Sequence, residues 1–480
     1  MFENYKQVQD YIKKNEIKIV DFKEIDLAGR WHHLSIPAER FTEELLRKGI
    51  GFDGSSYGFT TVEKSDMTFI PDITSAFRDP IAEMPTLTMI GNIYKISEKL
   101  ERFESDPRYI ADKAEQYLLQ TGISDTCLFG PEFEFYILDN IEFQIDAHNI
   151  AVRLDSAQAE WNSYDSQLDE YRRNLGYKVM WHKGYHADMP NDVSYGLRNR
   201  IVRILEDTGV PVKYHHHENG GPGQVEIEVN FATLREMGDR AQKLKYIVKN
   251  TAKKEGRTVT FMPKPYNGES GCGMHVHLQM FKNGEPLFYD EKGYSCLSQT
   301  ALYAIGGILR HSPGLLAFTN PTTNSYKRLV PGFEAPVTIC FATANRSSVI
   351  RIPGYAVHPE DKRFEFRSSD AASNPYLCYT AILMAAIDGI QNKIDPIAEH
   401  YGPYDRNMYY LTEEEKKYIK SLPKSLEEAA DNMEQDHGFL TAGGVFPESL
   451  IMDQLKKIRT EAAEVNKIPH PIEFKKYFDI

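Results

Sequence analysis

The stretch Gly130-Pro131-Glu132-Phe133-Glu134-Phe135-Tyr136-Ile137-Leu138 constrains the fold more than any other. In a strand, successive side chains point to opposite faces, so Glu132 and Glu134 share one face and Phe133 and Phe135 the other. The apolar face asks for a core. The two carboxylates repel, and burying them together is costly unless a cation joins them. One such strand would read as a sheet with one wetted face. The pattern, however, returns three times: Glu226/Glu228 within Gln224–Phe231, His275/His277 within Met274–Leu278, and Arg363/Glu365/Arg367 with Phe364 and Phe366 between them. Side by side in a curved antiparallel sheet, these strands make a wall of Glu, His and Arg around a charged ligand.

The residue types narrow that ligand. Several carboxylates with one or two His and no thiolates suit Mg2+ or Mn2+ better than Zn2+. Several Arg in the same cavity call for phosphate or carboxylate. Metals, Arg and carboxylates together are the equipment of phosphoryl transfer. Residue chemistry therefore leads to a metal-dependent, phosphate-handling enzyme with an anionic substrate, and stops there. The tract His215-His216-His217-Glu218 fits either a metal site or a packed strand, and singles out no one histidine.

Bulk properties set the frame. The 480 residues predict two or three domains, or one large domain with a small one attached. A net charge of −13 argues against a nucleic-acid partner, although a local basic pocket for ATP is compatible with it. The five Cys are scattered and form no CxxC pair, which points to free thiols in a reducing compartment. The start Met1–Tyr5 is polar, and the apolar run at 381–387 is too short to span a bilayer. A cytoplasmic chain without a membrane partner is expected.

Along the chain, residues 1–105 read as a small α/β unit, with a helix over Tyr5–Asn15, strands at Lys18–Phe22 and Trp31–Leu34, and an acidic loop beginning at Phe52-Asp53-Gly54-Ser55-Ser56. Asp106-Pro107 is a helix start, and Gly122 ends that helix. Residues 140–195 read as a largely irregular excursion. Helices are expected over about 192–208 and 239–255, and a mainly helical last hundred residues ends in the aromatic stretch from His470 to Phe478. An apolar, aromatic terminus suggests docking on another subunit.

The motifs, taken in order, resemble class I (bacterial-type) glutamine synthetase, in its longer subtype, over essentially the whole chain. They are Phe52–Ser56, Gly130–Phe135, Gly223-Gln224-Val225-Glu226, Thr260-Phe261-Met262-Pro263-Lys264-Pro265, Gly273–His277, Asn320–Gly332 with Glu334–Val337, Asn345-Arg346-Ser347 and Asn374–Leu377. The resemblance implies an α+β fold: a small N-terminal β-grasp-like domain over 1–105, then a catalytic domain over 106–480. The catalytic domain would carry a curved antiparallel sheet, a half-barrel funnel, backed by helices. It implies ATP-dependent ligation of ammonium to L-glutamate through a γ-glutamyl phosphate.

It also implies roles for residues. Glu134, Glu218 and Glu226 would hold one metal near the amino acid; Glu132, His275 and Glu365 would hold the other against the ATP phosphates. Gly271, Arg328 and Arg367 would contact glutamate. Phe231, His277, Arg346 and Arg351 would serve ATP, with Arg346 also catalytic. Asp53, from a neighbouring subunit, would take a proton from ammonium, and Glu334 would sit on a flap that shuts out water. A homododecamer of two hexameric rings is implied, the tail at 470–480 inserting into the opposite ring.

Some residues depart from the family pattern. Ser270 stands where Asn is usual, Cys340-Phe341-Ala342-Thr343 replaces a commoner Tyr-Ser sequence, and Ser369 and Ala371 replace Pro. Tyr409 lies where some members carry a nucleotidylated Tyr, but Thr412 replaces the usual Pro downstream, and a surface tyrosine is the expectation. A γ-glutamyl–amine ligase of the same family would need an enlarged ammonium site, and the retained Asp53 to Ser56 and Glu334 favour ammonium. A catalytically silent homologue would have lost a metal ligand, and none is lost.

Overall fold

The computed structural model describes residues 2–96, 99–163, 175–333, 335–405, 417–469 and 472–480. Glu334, Tyr409 and His470 lie outside the described residues.

The N-terminal unit is a seven-stranded sheet whose main path runs Trp31–Pro37, Ile19–Ile25, Thr86–Ile96, Asp66–Pro71, Ile50–Asp53. The central pair Ile19–Ile25 and Thr86–Ile96 is parallel, and its other ladders are antiparallel. The helix Tyr5–Lys14 buries Val8 and Ile12 against Phe22, Phe41, Phe69 and Met89, which gives this β-grasp sheet its own core. At its edge, the strand Ile50–Asp53 runs straight into a short 3-10 turn at Gly54–Tyr57.

The helix Pro107–Thr121 begins as expected: Asp106 is its N-cap and accepts from the Arg108 backbone N–H, and Gly122 ends it in the left-handed region. Arg108 is buried and ties the two units together, bonding Asp72 and Asn92 on one side and Asp239 on the other.

The catalytic sheet has ten strands. Its path runs Val212–His217, Gln224–Val229, Thr126–Leu138, Met274–Lys282, Phe364–Phe366, Ser348–Ile352, Thr338–Thr343. Thus the four strands singled out by alternation are consecutive neighbours, all antiparallel. Their apolar faces, with Phe133, Phe135, Val225, Ile227, Val276, Phe364 and Phe366, enter the main core. Behind the core lie the long helices Leu234–Lys254, Gln299–Thr319 and Pro375–Gln391.

Two expectations need correction, and the tail shows contacts with its own chain. The excursion after residue 140 opens with a regular hairpin, Asn140–Ile145 paired with Ile150–Asp155, because alternate residues can pair even when most are polar. The strand expected at Arg363–Arg367 is only Phe364–Phe366, although the Arg367 backbone N–H still donates to the Val349 carbonyl of the next strand at 2.9 Å. Finally, residues 472–480 fold onto the chain's own catalytic unit. The Glu473 carboxylate, buried, accepts from Thr323 Oγ1 at 2.7 Å, Asn324 Nδ2 at 2.8 Å and Lys327 Nζ at 2.8 Å. The Phe478 carbonyl accepts from Thr260 Oγ1. Local polar partners thus hold an aromatic segment that composition alone suggested for another subunit.

One helix contact carries a stability prediction. His311 lies between Asp436 (Nδ1 to Oδ2, 2.7 Å) and Asp388 (Nε2 to Oδ2, 3.0 Å). Burial disfavours its charge, but the two carboxylates outweigh burial and raise its pKa above 6.5. A raised folded-state value means the stabilisation is complete below about 6.5, the unfolded value, and is lost as pH rises through the folded one. The melting temperature of the wild type is expected to fall more between pH 6 and pH 8.5 than that of His311→Gln; parallel pH curves would contradict this.

Candidate active site

Register decides which side chains meet. Glu134 faces Glu226 across one ladder, and Glu132 faces Glu228 on one side and His275 on the other. His277 faces Glu365, and Glu365 faces Arg351. His216 faces Glu226 from the outer strand. All of them share the face opposite the core, so one ladder after another adds a row of ionisable groups.

Glu132 sits at the centre. Its two oxygens lie 2.9 Å from His275 Nδ1 and 2.9 Å from His277 Nε2. Burial pushes its pKa up, but these two histidines prevail and hold the carboxyl well below the usual range. Glu365 receives Arg351 Nη1 at 2.6 Å and, on its other oxygen, Arg367 Nη1. Burial works against its charge, and the Arg367 guanidinium brings it down to about 2. His275 Nδ1 is 3.6 Å from Glu365 and its Nε2 is 3.7 Å from Glu134.

The opposite end of the wall behaves differently. Burial, reinforced by the charges of Glu226 and Glu134, pushes Glu218 up to about 8. Glu226 is raised well above its usual range by burial and by Glu132 and Glu134. His216 Nε2 lies 3.3 Å from Glu226 and its Nδ1 3.7 Å from Glu218. Glu228, by contrast, is neutralised by Lys213 at 2.7 Å. Two neighbouring carboxylates raised by burial and by the carboxylates around them ask for a shared cation.

Among the described residues, two groups place ligand atoms within 4.8 Å of one another: Glu132, His277 and Glu365, and His216, Glu218 and Glu226. The sets expected from the sequence differ by one member each, Glu134 for His216 and His275 for His277. In the structure Glu134 Oε2 accepts from the Gly273 backbone N–H at 2.8 Å and from Gln224 Nε2 at 3.2 Å. His277 is fully buried, and its Nδ1 has no hydrogen-bond partner among the described residues. The donor set of carboxylate and imidazole, without thiolate, fits a hard divalent ion.

A small cavity of about 60 Å3 is lined by Glu132, Glu134, Glu218, Glu226, His275 and Arg328, and also by Gly271, Arg346, Arg367 and Phe333. The metal-side carboxylates and the expected amino-acid contacts therefore share one space. Gly271 has no room for a Cβ, which would lie 2.5 Å from the Pro263 carbonyl and 2.9 Å from Arg328 Cγ. The Arg328 guanidinium donates to the carbonyls of Ser368 at 2.7 Å and Arg367 at 3.1 Å. Phe231 is set apart from this cavity, its ring 6.3 Å from His277 and 5.9 Å from the Arg363 guanidinium.

The departures are absorbed in ordered contacts. Ser270 Oγ accepts from Asn219 Nδ2 at 3.2 Å, and Ser369 Oγ donates to the Met274 carbonyl at 2.6 Å, a bond that proline cannot make. Ala371 receives Lys245 on its carbonyl.

Asp53 is the described candidate that lies outside the catalytic sheet. It lies on the N-terminal sheet, exposed, and no residue before Glu132 lines the cavity. Hydrogen bonds from Ser55 and Ser56 hold its carboxyl below the usual range. Sequence reasoning passed over His216, Gln224, Asn219 and Phe333 as site residues. Only for His216 was there a signal, two positions before Glu218.

Comparison with known proteins shows the family. The glutamine synthetase beta-Grasp domain family matches residues 16–96, and the glutamine synthetase catalytic domain family matches residues 104–477. A glutamine synthetase of Aquifex aeolicus is 47% identical over 475 residues, 99% of this chain and 98% of the relative. One from Frankia alni is 44% identical over the full length of both. Among solved structures, a Plasmodium falciparum glutamine synthetase superposes with a TM-score of 0.88 at 29% identity, covering 99% of each chain.

Proposed function

The chain belongs to the glutamine synthetase family, and on that premise we propose how its own residues carry out the ATP-dependent synthesis of glutamine from glutamate and ammonia. The reading rests above all on five ligand-type side chains, Glu132, Glu134, Glu226, His275 and Glu365, gathered on one sheet face by strand register, with Glu218 just past the end of the outer strand Val212–His217.

A carboxylate does not react with ammonia, because its carbon is shielded by negative charge and has no leaving group. The glutamate γ-carboxylate therefore attacks the terminal phosphorus of ATP, and ADP leaves. Ammonia then attacks the acyl carbon of the γ-glutamyl phosphate, and phosphate leaves with the bond electrons. Glu134, Glu218 and Glu226, with His216 beside them, hold one divalent ion, and Glu132, His275 and Glu365, with His277 beside them, hold another. A divalent ion held there, Mg2+ or Mn2+, would supply positive charge that offsets the charge of the phosphates. Arg346 and Arg351 meet the phosphates, Phe231 stacks near the adenine, and Gly271, Arg328 and Arg367 hold the glutamate carboxylates. Arg351 and Arg367 are pre-oriented for this by Glu365.

Ammonium must lose a proton before it can attack. Asp53 is the base, contributed by a neighbouring copy, because in its own chain it stands away from the cavity. The chain thus works as an oligomer, a dodecamer of two rings, in the cytoplasm, with the domain division at about residue 105. Among the described residues no helix is long and apolar enough to cross a membrane. Light scattering on the purified protein should give the mass of a dodecamer of 55.0 kDa chains.

Phosphate release from ATP with glutamate and Mg2+ or Mn2+ tests the substrate assignment. Turnover with ammonium, and little with ethylamine or putrescine, is expected. Release driven by the amines instead would make the chain an amine ligase of the same family.

Ion binding should also release protons. Glu218, pushed up to about 8, holds a proton at pH 7 that an ion must displace, and burial raises Glu226 in the same direction. Mn2+ affinity is expected to rise between pH 6.5 and pH 8.5. Calorimetry in two buffers of different ionisation enthalpy should count the released protons. A pH-independent affinity would contradict the assignment of these carboxylates.

A further inference from the structure

Two adjoining cavities lie where the N-terminal unit meets the helix Leu234–Lys254 and the last residues of the chain. They measure about 400 and 430 Å3 and share Gly29, Arg30, Lys245, Lys475, Lys476 and Ile480 as walls. None of their residues lines the metal cavity. Small-molecule sites usually offer ~300–1,000 Å3. Lys457 lines the first space and Lys249 the second, and among the described residues the acidic side chains facing them are Glu461 and Asp479.

These charges do not cancel. Lys249 Nζ pairs with Asp479 at 2.9 Å, and Lys476 Nζ pairs with Glu464, outside the cavities, at 2.8 Å. Arg30, Lys245, Lys457 and Lys475 have no ion pair among the described residues. Lys245 is the most exacting of them. It is only 7% exposed, and its ammonium donates to the Ala371 carbonyl, not to a carboxylate. Burial, followed by the charge of Lys249, pushes it down to about 7. A buried charge without a counter-charge is costly.

The turn that carries Arg30 is pinned to the catalytic unit. Gln242 Nε2, from the same helix as Lys245, donates to the Gly29 carbonyl at 3.0 Å, and Asn374 Nδ2 donates to the Asp26 carbonyl at 3.0 Å. Within the turn, the Arg30 backbone N–H donates to Asp26 Oδ1 at 2.9 Å. Gly29 adopts φ +85°, and a Cβ there would lie 2.9 Å from Asn374 Cα, so this close approach needs glycine. The backbone of Arg30 is thereby fixed at the cavity that the buried Lys245 lines.

We infer that these two cavities form an anion site separate from the active centre, one that takes a small molecule with two or more linked phosphate groups. Lysine ammonium groups bind phosphate as point charges, and the guanidinium fork matches its oxygens. Two adjoining spaces with cations on both suit a chain of phosphates better than a single ion. Its binding joins the N-terminal turn at Arg30 to the helix Glu448–Lys467, which carries Lys457, and to the last residues of the chain.

The test titrates the assembled full-length protein, free of divalent ions, with sodium tripolyphosphate in a calorimeter. Wild type is compared with Lys245→Met, Arg30→Ser and, on the metal wall, Arg351→Met. One site per chain is expected to bind at least tenfold more weakly in Lys245→Met and in Arg30→Ser, and to be unchanged in Arg351→Met. Tripolyphosphate should raise the Tm of the wild type more than that of the first two variants. Without the anion, Lys245→Met should melt at or above the wild type, because it removes a buried, uncompensated charge. Arg30 is exposed, so Arg30→Ser keeps the test decisive if Lys245→Met misfolds. Equal binding by all four proteins, or a loss confined to Arg351→Met, would overturn the proposal. Citrate binding as tightly as tripolyphosphate would overturn the phosphate class.

Discussion

Glu132→Gln is expected to lower turnover by at least ~10²–10³-fold, the scale on which removing a single charge-stabilising group acts in an enzyme site. Glu132 is the only acceptor shared by His275 and His277, each at 2.9 Å among the described contacts. Glutamine keeps the shape but loses the charge. It can accept from one imidazole while presenting its NH2 to the other, so both the ion and the imidazole orientation suffer. Mn2+ binding followed by electron paramagnetic resonance should show one ion fewer per chain. The melting temperature of the ion-free protein separates this from misfolding. Retention of the full ion count with turnover within about tenfold of wild type would remove Glu132 from the metal set.

Asp53→Asn should abolish most ammonium-dependent turnover, by ~10²–10⁴-fold for the loss of a positioned base. ATP binding should be retained, because nothing on the N-terminal sheet lines the metal cavity. The informative step is mixing. If Asp53 serves a neighbour, co-assembled Asp53→Asn and Glu132→Gln chains create some sites with both residues intact, and activity returns in part. Each variant alone stays inactive. Absence of recovery from confirmed mixed oligomers would place Asp53 in its own chain's site, or outside the reaction.

These two expectations mark how far the sequence could be read. The period-2 alternation of Glu132/Phe133/Glu134/Phe135 and its three counterparts specified strands with one apolar and one ionisable face, because side-chain direction in a strand is local geometry. The cap pair Asp106 and Gly122 likewise bounded a helix from local backbone chemistry. By contrast, the hairpin at Asn140–Asp155 was hidden in polar residues, since its stability comes from pairing and not from a buried face. The aromatic tail's contacts within its own chain could not be read from composition, which carries no direction. Its partners Thr260, Thr323, Asn324 and Lys327 lie some 150 or more positions upstream.

The sequence by itself determined the ionisable residue types and the strands that bear them, both of which follow from side-chain chemistry and short-range periodicity. Only the tertiary structure decided which of them meet. Register across the ladders put His277 beside Glu132 and Glu365, and His216 beside Glu226, while Lys213 neutralised Glu228. It also left Asp53 apart and seated Phe333 on Lys264. The physical reason is that a strand's own residues fix its two faces, whereas neighbours across a sheet are fixed by turns, bulges and packing far away in the chain.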